Sequence, residues 1–276
     1  VVMDDVVTFI GFGEAGSSFA GALEWAGSAR AFDINHANKQ ETGVVVCATS
    51  AEAIAGSKLI ISVVTAEAAV DAARDASTHL AVGALYFDMN SVSPGSKREA
   101  ASIIEAVGAR YVDAAIMAPV QPARLSVPIL LSGPSGKEAC EALSALGFSN
   151  VQTVGDEVGQ AATIKMLRSV MYKGVEALTA ECLLACERAG VTGKVLESFG
   201  NNDWATSADY RLDRMLVHGT RRAAEMAEAV KTLTELGIEP LMTRGTVKRQ
   251  AELGALGLKQ LPEGLAMKLK TLVSRA

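Results

Sequence analysis

The sequence predicts an α/β fold: a mainly parallel N-terminal sheet, a long connecting helix and an all-helical C-terminal domain. Three observations carry this. The pattern Gly11-Phe12-Gly13-Glu14-Ala15-Gly16 lies between an apolar run and a run of small residues. Short apolar runs then alternate with helical segments as far as residue 155, the texture of a sheet with helices on both faces. From Val158 to Arg188 there is no proline, apolar residues recur at helical spacing, and no strand signal follows.

Taken in order, Val6–Ile10 reads as a buried strand and Ser17 to Leu23 as a helix. A Gly-x-Gly-x-x-Gly pattern alone is weak, but between strand and helix it is a dinucleotide-binding fingerprint and makes the domain Rossmann-type. Gly11 permits the tight turn, Gly13 lets the backbone approach a pyrophosphate, and Gly16 lets the helix pack on the strand. The free N–H groups of this loop, with Phe12, Glu14 and Ala15 between its glycines, and the positive end of the helix dipole attract phosphates. Further strands are expected at Ala29–Asp33, Val44–Cys47, Leu59–Val64, Leu85–Asp88, Arg110–Ala115, Ile129–Ser132 and Val151–Val154. Helices are expected at Ala51–Ala55, Glu67–Ser77 and Ser96–Val107. The close spacing of runs over 110–154 places additional strands at one edge. The dinucleotide-binding domain is 1–157. A helical domain, 158–276, begins with the long helix, which spans roughly 45 Å at about 1.5 Å per residue. Shorter helices follow, with breaks near Gly200-Asn201-Asn202, Gly219, Gly237–Pro240 and Gly254–Pro262.

Asp33 ends the second strand. A carboxylate there can accept hydrogen bonds from both adenosine-ribose hydroxyls and repels the 2′-phosphate of NADP. The expected cofactor is therefore NAD. NADP is not excluded, because His36 and Lys39 are near in sequence, and a strand-end Asp also serves as a plain turn residue. Val63-Val64-Thr65 leaves the fourth strand at the carboxyl edge, where ligands bind in open sheets, and should lie along the cofactor.

With 276 residues, 49% of them hydrophobic and 21% charged, the chain can bury a substantial core as a soluble protein. No apolar stretch approaches a membrane span. Asp4 and Asp5 precede the first strand without a basic segment, unlike a signal peptide. The net charge of −5 argues against nonspecific nucleic-acid binding. Cys47, Cys140, Cys182 and Cys186 form no Cys-x-x-Cys pair. Cys182 and Cys186 share a helix face, and with no histidine near them they read as core thiols rather than metal ligands. No metal site is expected, and the cysteine usage suits the reducing cytoplasm.

Three further segments converge with the glycine loop. They are Asp88-Met89-Asn90-Ser91-Val92-Ser93-Pro94, Asp113-Ala114-Ala115-Ile116-Met117-Ala118-Pro119, and Gly159-Gln160-Ala161-Ala162-Thr163-Ile164-Lys165, the last opening the long helix. As an ordered set they resemble the β-hydroxyacid dehydrogenases, the group of 3-hydroxyisobutyrate and 6-phosphogluconate dehydrogenases, in a divergent branch. The family reads Asp-x-Ser-Thr-x-Ser-Pro after the fifth strand. Here Asn90 and Ser91 hold the Ser-Thr positions, which implies Asn90 at the cofactor and Ser91 at the substrate. The family's Asp-Ala-Pro-Val-Ser-Gly-Gly cradles the substrate carboxylate. Here Met117, Ala118 and Pro119 replace Ser-Gly-Gly; proline lacks an N–H and methionine a hydroxyl, so the pocket is more apolar or anchors its substrate differently. The family's helix motif is Gly-x-Gly-x-x-x-Lys with Asn four residues on; here Gly159 and Lys165 are kept, Ala161 stands for the second Gly and Ser169 takes the Asn position. Arg168 stands where sugar-phosphate members carry His.

The resemblance implies hydride transfer between nicotinamide and a small hydroxy or carbonyl compound, with Lys165 as general acid/base. Removing a carbinol proton requires a neutral lysine, and burial or a nearby positive charge such as Arg168 lowers a lysine pKa. Lys165, Ser169 and Tyr172 form one stripe of the helix, with Arg168 on its flank; Met166, Leu167, Val170 and Met171 can pack in the core. Ser169 can hold the same substrate oxygen or bond its own backbone. Arg168 can bind an anionic substrate group or sit structurally at the domain junction. Arg221 falls near a family lysine facing the cleft, although a basic pair such as Arg221-Arg222 is ordinarily a solvated face. Trp204 and Tyr210 can line a pocket, core packing being the expected assignment. The resemblance also implies a homodimer built around the long helix. The alternatives are an imine reductase-like enzyme, against which Lys165 speaks, and a noncatalytic NAD-binding sensor.

Overall fold

Eight strands build one sheet in the order β3-β2-β1-β4-β5-β6-β7-β8. The computed structural model describes residues 6–22, 29–35, 43–200, 203–258 and 260–275. The strands are β1 (Val7–Ile10), β2 (Ala29–Phe32), β3 (Val44–Val46), β4 (Leu59–Ser62), β5 (Leu85–Asp88), β6 (Arg110–Ile116), β7 (Ile129–Ser132) and β8 (Val151–Gly155). Neighbours pair in parallel except β6 with β7. Each expected strand is present within two residues at either end, and β6 to β8 form the expected added edge.

The helices of this sheet are α1 (Glu14–Ala20), α2 (Ser50–Ile54), α3 (Ala69–Ser77), α4 (Pro94–Glu105) and α5 (Gly136–Ala145). Alternate residues of each strand feed opposite faces. Phe9, Ile61, Phe87 and Val112 pack in one core with Phe19 of α1 and Leu143 of α5. Ile10, Ile60, Tyr86 and Tyr111 pack in the other with Ile54, Ala73 and Ile104 of α2, α3 and α4. Strands buried on both faces read as continuous apolar runs, which is why they are visible in the sequence. Helix α5 is not among the expected helices. It is held by Ala139 and Leu143 against β7 and β8.

The long helix, α6, runs Gln160–Ala189, followed by α7 (Thr192–Ser198), α8 (Trp204–Glu235), α9 (Leu241–Gly254) and α10 (Leu265–Arg275). The chain divides into two compact units, one ending at Met166 and one beginning at Leu167, so the division falls inside α6. The second unit has its own core, with Leu183, Leu212, Met215, Leu253, Leu269 and Leu272.

Gly219 is not the expected break. Helix α8 continues through it because the glycine is a packing device: a Cβ there would lie 2.3 Å from the Gln250 carbonyl oxygen of α9. Gly254 answers it, since its own Cβ would lie 2.3 Å from the Thr220 nitrogen. Leu167 and Met171 are not core residues but exposed, at 39% and 67%. Tyr210 is likewise exposed rather than packed, whereas Trp204 is half-buried against Phe199, ring centroids 5.0 Å apart. The expected solvated pair divides. Arg221 is exposed and bonds Glu225, while Arg222 is buried in an ion pair with Glu176, which also accepts from Gln250. Cys186 is buried, which raises its thiol pKa, and Cys182 is half-buried on the same helix. No helix among the described residues is long and apolar enough to cross a membrane. Asp4, Asp5, Leu23, His36, Lys39, Asn201 and Asn202 lie outside the described residues.

Candidate functional site

Residues 11–16 form the turn from β1 into α1. Gly11 adopts φ +93°, and a Cβ on it would meet the Val63 carbonyl oxygen at 2.5 Å. Gly16 lies against the same turn; its Cβ would fall 2.2 Å from the Gly11 oxygen. Both positions therefore demand glycine, one for conformation and one for space. Gly13 differs, since nothing lies within 4 Å of a Cβ built on it. Its backbone faces open space at the helix N-terminus, as the approach of a dinucleotide phosphate requires. Phe12 is buried, while Glu14 is exposed and Ala15 half-buried.

Asp33 immediately follows β2 and reaches back to this loop. Its Oδ2 accepts the Phe12 N–H at 2.7 Å and its Oδ1 the Asn35 N–H at 2.8 Å. The carboxylate is thus fixed beside the glycine loop at the carboxyl edge of the sheet. Val63, Val64 and Thr65 leave β4 at the same edge. The Val63 N–H donates to the Ile10 oxygen at 2.8 Å, and the Val64 N–H to Asn90 Oδ1 at 2.6 Å. Asn90 is 3% exposed and also donates from Nδ2 to Ser62 Oγ at 3.0 Å. Its carboxamide therefore ties the exits of β4 and β5 together.

Beneath this edge lies a buried polar cluster that sequence reasoning missed. Asp88 and Asp113 are register partners on β5 and β6, both fully buried. The Lys97 ammonium, 1% exposed, lies 2.9 Å from Asp88 Oδ1 and 3.4 Å from Asp113 Oδ1. Tyr111 donates to Asp88 Oδ2 at 2.6 Å; burial and the Asp88 charge push its phenol pKa well up. Asp113 Oδ2 accepts from Ser132 Oγ and from the N–H groups of Gly159 and Ala162 at 2.9–3.1 Å, and Ser132 Oγ accepts the Ala161 N–H at 3.0 Å. These bonds satisfy the otherwise orphaned donors at the start of α6. Gly159, at φ +103°, makes the bend that delivers them. The available signal was two acidic residues in apolar strands, Asp88 at the end of β5 and Asp113 in the middle of β6, since carboxylates that deep need a cation.

One and a half turns into α6, Lys165 Nζ donates to Ser91 Oγ at 2.6 Å, both side chains half-buried. The structure thus brings together two residues that are 74 positions apart in the chain. In the loop after β6, the Met117 N–H is spent on the Pro128 oxygen at 2.9 Å, and Ala118 and Pro119 are exposed. Arg168 and Ser169 belong to the second unit. The Arg168 guanidinium stacks 4.3 Å above the Tyr172 ring, and Ser169 is half-buried. Among the described residues no group of His, Cys, Asp and Glu side chains could hold a metal ion.

Residues 6–155 match the family described as the NAD binding domain of 6-phosphogluconate dehydrogenase, and residues 187–253 match a domain of unknown function, DUF1932. A conserved hypothetical protein from Sinorhizobium meliloti is 37% identical, with a TM-score of 0.77, covering 99% of this chain and 97% of that one. A second conserved protein of unknown function, whose structure is described as similar to 3-hydroxyacid dehydrogenases, is 34% identical with a TM-score of 0.68, covering 90% and 96%. The fold extends to a 3-hydroxyisobutyrate dehydrogenase from Mycobacterium tuberculosis in complex with L-serine. That likeness has a TM-score of 0.72 at 16% identity, covering 99% of each chain.

Proposed function

The chain belongs to the family that shares the NAD-binding domain of 6-phosphogluconate dehydrogenase, and from that premise we propose that it is an NAD(P)-dependent dehydrogenase or reductase acting on a small hydroxy or carbonyl compound. The observation that carries the reading is the Lys165–Ser91 hydrogen bond of 2.6 Å. It sets an amine beside a hydroxyl at the edge of the sheet where the glycine loop, Val63–Thr65 and Asn90 converge.

The nicotinamide supplies the hydride chemistry when bound; the rest falls to the chain. Gly13, Glu14 and Ala15 offer the phosphates backbone N–H groups at the start of α1, the Phe12 N–H being held by Asp33, and Gly11 and Gly16 give the loop its shape. Asp33 holds the loop through Phe12 and faces the adenosine ribose, which favours NAD over NADP. Lys165 takes the proton from a substrate hydroxyl in oxidation and returns it to a carbonyl oxygen in reduction. Ser91 orients the amine and shares the proton path. By resemblance, Ser169 and Arg168 are assigned to substrate binding, as are Met117 and Ala118, whose side chains are apolar. The exposed apolar side chains Ile164, Leu167, Met171 and Leu178 on one helix support a homodimer built on α6.

The test is a panel of hydroxy acids, phosphorylated sugar acids, neutral alcohols and their carbonyl counterparts, each assayed with NAD(H) and NADP(H). Turnover of at least one class, abolished in Lys165→Ala, is the expected result. Binding of NADH with no turnover of any hydroxy, carbonyl or imine compound leaves the sensor reading instead.

A further inference from the structure

We propose that Lys97 is a positioning residue: as the shared counter-ion of Asp88 and Asp113, it locks the loop after β5 to the first turn of α6 and so sets Lys165 against Ser91. The effect on turnover rests on the reading of Lys165 given above; the positioning itself does not.

Two chains of bonds start from this ammonium. On one side Lys97 Nζ donates to the Asp88 backbone oxygen at 2.5 Å and lies 2.9 Å from Asp88 Oδ1. The same Oδ1 accepts the Asn90 N–H at 2.9 Å, and Ser91 is the next residue. On the other side Asp113 turns Oδ1 to Lys97 and makes no hydrogen bond with that atom, while its Oδ2 caps Gly159 and Ala162 of α6. Lys165 lies three residues beyond Ala162. The two ends of the Lys165–Ser91 bond therefore trace back to one buried cation.

The charges explain why a cation is required. Two carboxylates, exposed 0%, stand at paired positions of neighbouring parallel strands, with one ammonium between them. The positive end of α6 supplies partial further compensation to Asp113. Without Lys97 the carboxylates repel one another, and one must protonate or the strands must part. Either response loosens Asp113 from α6 or Asp88 from the Ser91 loop. A surface lysine in the first turns of a helix would do nothing of the kind; Lys97 is 1% exposed.

The test uses the full chain, Lys97→Met, and the charge-balanced double variant Lys97→Met/Asp113→Asn. The double variant restores the cluster's net charge and keeps an amide oxygen for the α6 cap, but it still lacks the ammonium that holds the Asp88 backbone and carboxylate oxygens, so the loosening of the Ser91 side, read by Lys165 labelling, carries the test if the single variant fails to fold. Competitive labelling with trace acetic anhydride, read peptide by peptide, gives the reactivity of the Lys165 amine relative to the exposed Lys137. It is expected to rise about fivefold as the bond to Ser91 loosens. Amide exchange at residues 159–162 should accelerate with it. With a substrate from the panel, kcat should fall at least about tenfold while KM for the cofactor stays within about twofold. Folded variants with unchanged Lys165 labelling and unchanged exchange overturn the positioning role, whatever their melting temperature. Raised labelling with unchanged turnover keeps it and overturns Lys165 as general acid/base.

Discussion

Replacing Asp33 by Asn separates two roles that the carboxylate combines. One is mechanical: Oδ2 accepts the Phe12 N–H at 2.7 Å and anchors the glycine loop to the end of β2. The other is electrostatic: the negative charge disfavours a 2′-phosphate on the ribose. Asparagine keeps an oxygen for Phe12 but removes the charge. At about 4 Å in water-like surroundings two unit charges interact by ~1 kcal/mol. A phosphate monoester carries about −1.5 to −2, so the relief for NADPH is about 1.5–2 kcal/mol before salt screening. NADH loses a charge-assisted bond to its ribose hydroxyls, about 1 kcal/mol more. The ratio of the dissociation constants for NADH and NADPH should therefore move toward NADPH by at least tenfold, ~1.4 kcal/mol. Fluorescence titration of both reduced cofactors measures it. Asp33→Ala isolates the mechanical role: it removes the same charge but also leaves the buried Phe12 N–H without its acceptor, at a cost of about 1–3 kcal/mol, and should bind both cofactors more weakly than Asp33→Asn at a similarly shifted ratio. The reasoning fails if Asp33→Asn keeps the parental ratio, or if the parent protein already binds NADPH more tightly.

Three further outcomes are expected. Lys165→Ala should cut turnover at least about a hundredfold with cofactor affinity nearly intact; full activity would remove Lys165 from the mechanism. Gly219→Ala forces a methyl group into the α8–α9 contact, 2.3 Å from the Gln250 oxygen, and should lower unfolding free energy by about 1–3 kcal/mol in a denaturant titration. Gly193→Ala, with nothing within 4 Å, should not. For Lys268, burial alone would lower the ammonium pKa, but Asp209 and Asp213, each 2.7 Å away, raise it above the ordinary value. A raised folded-state pKa means stability fully present below the unfolded value, about 10.4, and lost as pH climbs through the folded value. Lys268→Met should be less stable than the parent at neutral pH, and the difference should shrink in melts above about pH 10.5.

The sheet was legible because its strands are buried on both faces. Leu59–Ser62 and Leu85–Asp88 carry no alternation that could be mistaken for a surface, and each ends on a polar residue, Ser62 or Asp88. The glycine loop was legible for a related reason: Gly11 and Gly16 are demanded locally, by φ and by contact inside one turn. What the sequence hid depends on partners far along the chain. Gly219 reads as a helix breaker until Gly254 is known to lie against it. Arg222 reads as half of a solvated pair until Glu176 and Gln250 are placed beside it. Lys97 sits in the polar run Ser96-Lys97-Arg98-Glu99 and reads as surface; only the pairing of Asp88 with Asp113 makes it core.

The same distinction bears on the substrate. The residues proposed to handle cofactor and proton are held by bonds within the first unit: Phe12 to Asp33, Val64 to Asn90, Lys165 to Ser91. The loop after β6 is different. A carboxylate cradle needs backbone N–H groups or a hydroxyl free to donate. Of residues 117–119, Pro119 has no N–H, the Met117 N–H is given to the Pro128 oxygen at 2.9 Å, and no side chain carries a hydroxyl. At most the Ala118 N–H remains, and one amide does not offset the desolvation of a carboxylate. An acidic substrate would therefore have to draw its counter-charge from a basic side chain, whereas a neutral alcohol or carbonyl compound needs none. The hydroxy-acid and neutral arms of the panel differ on this one point, so their relative kcat/KM reads what the altered loop recognises.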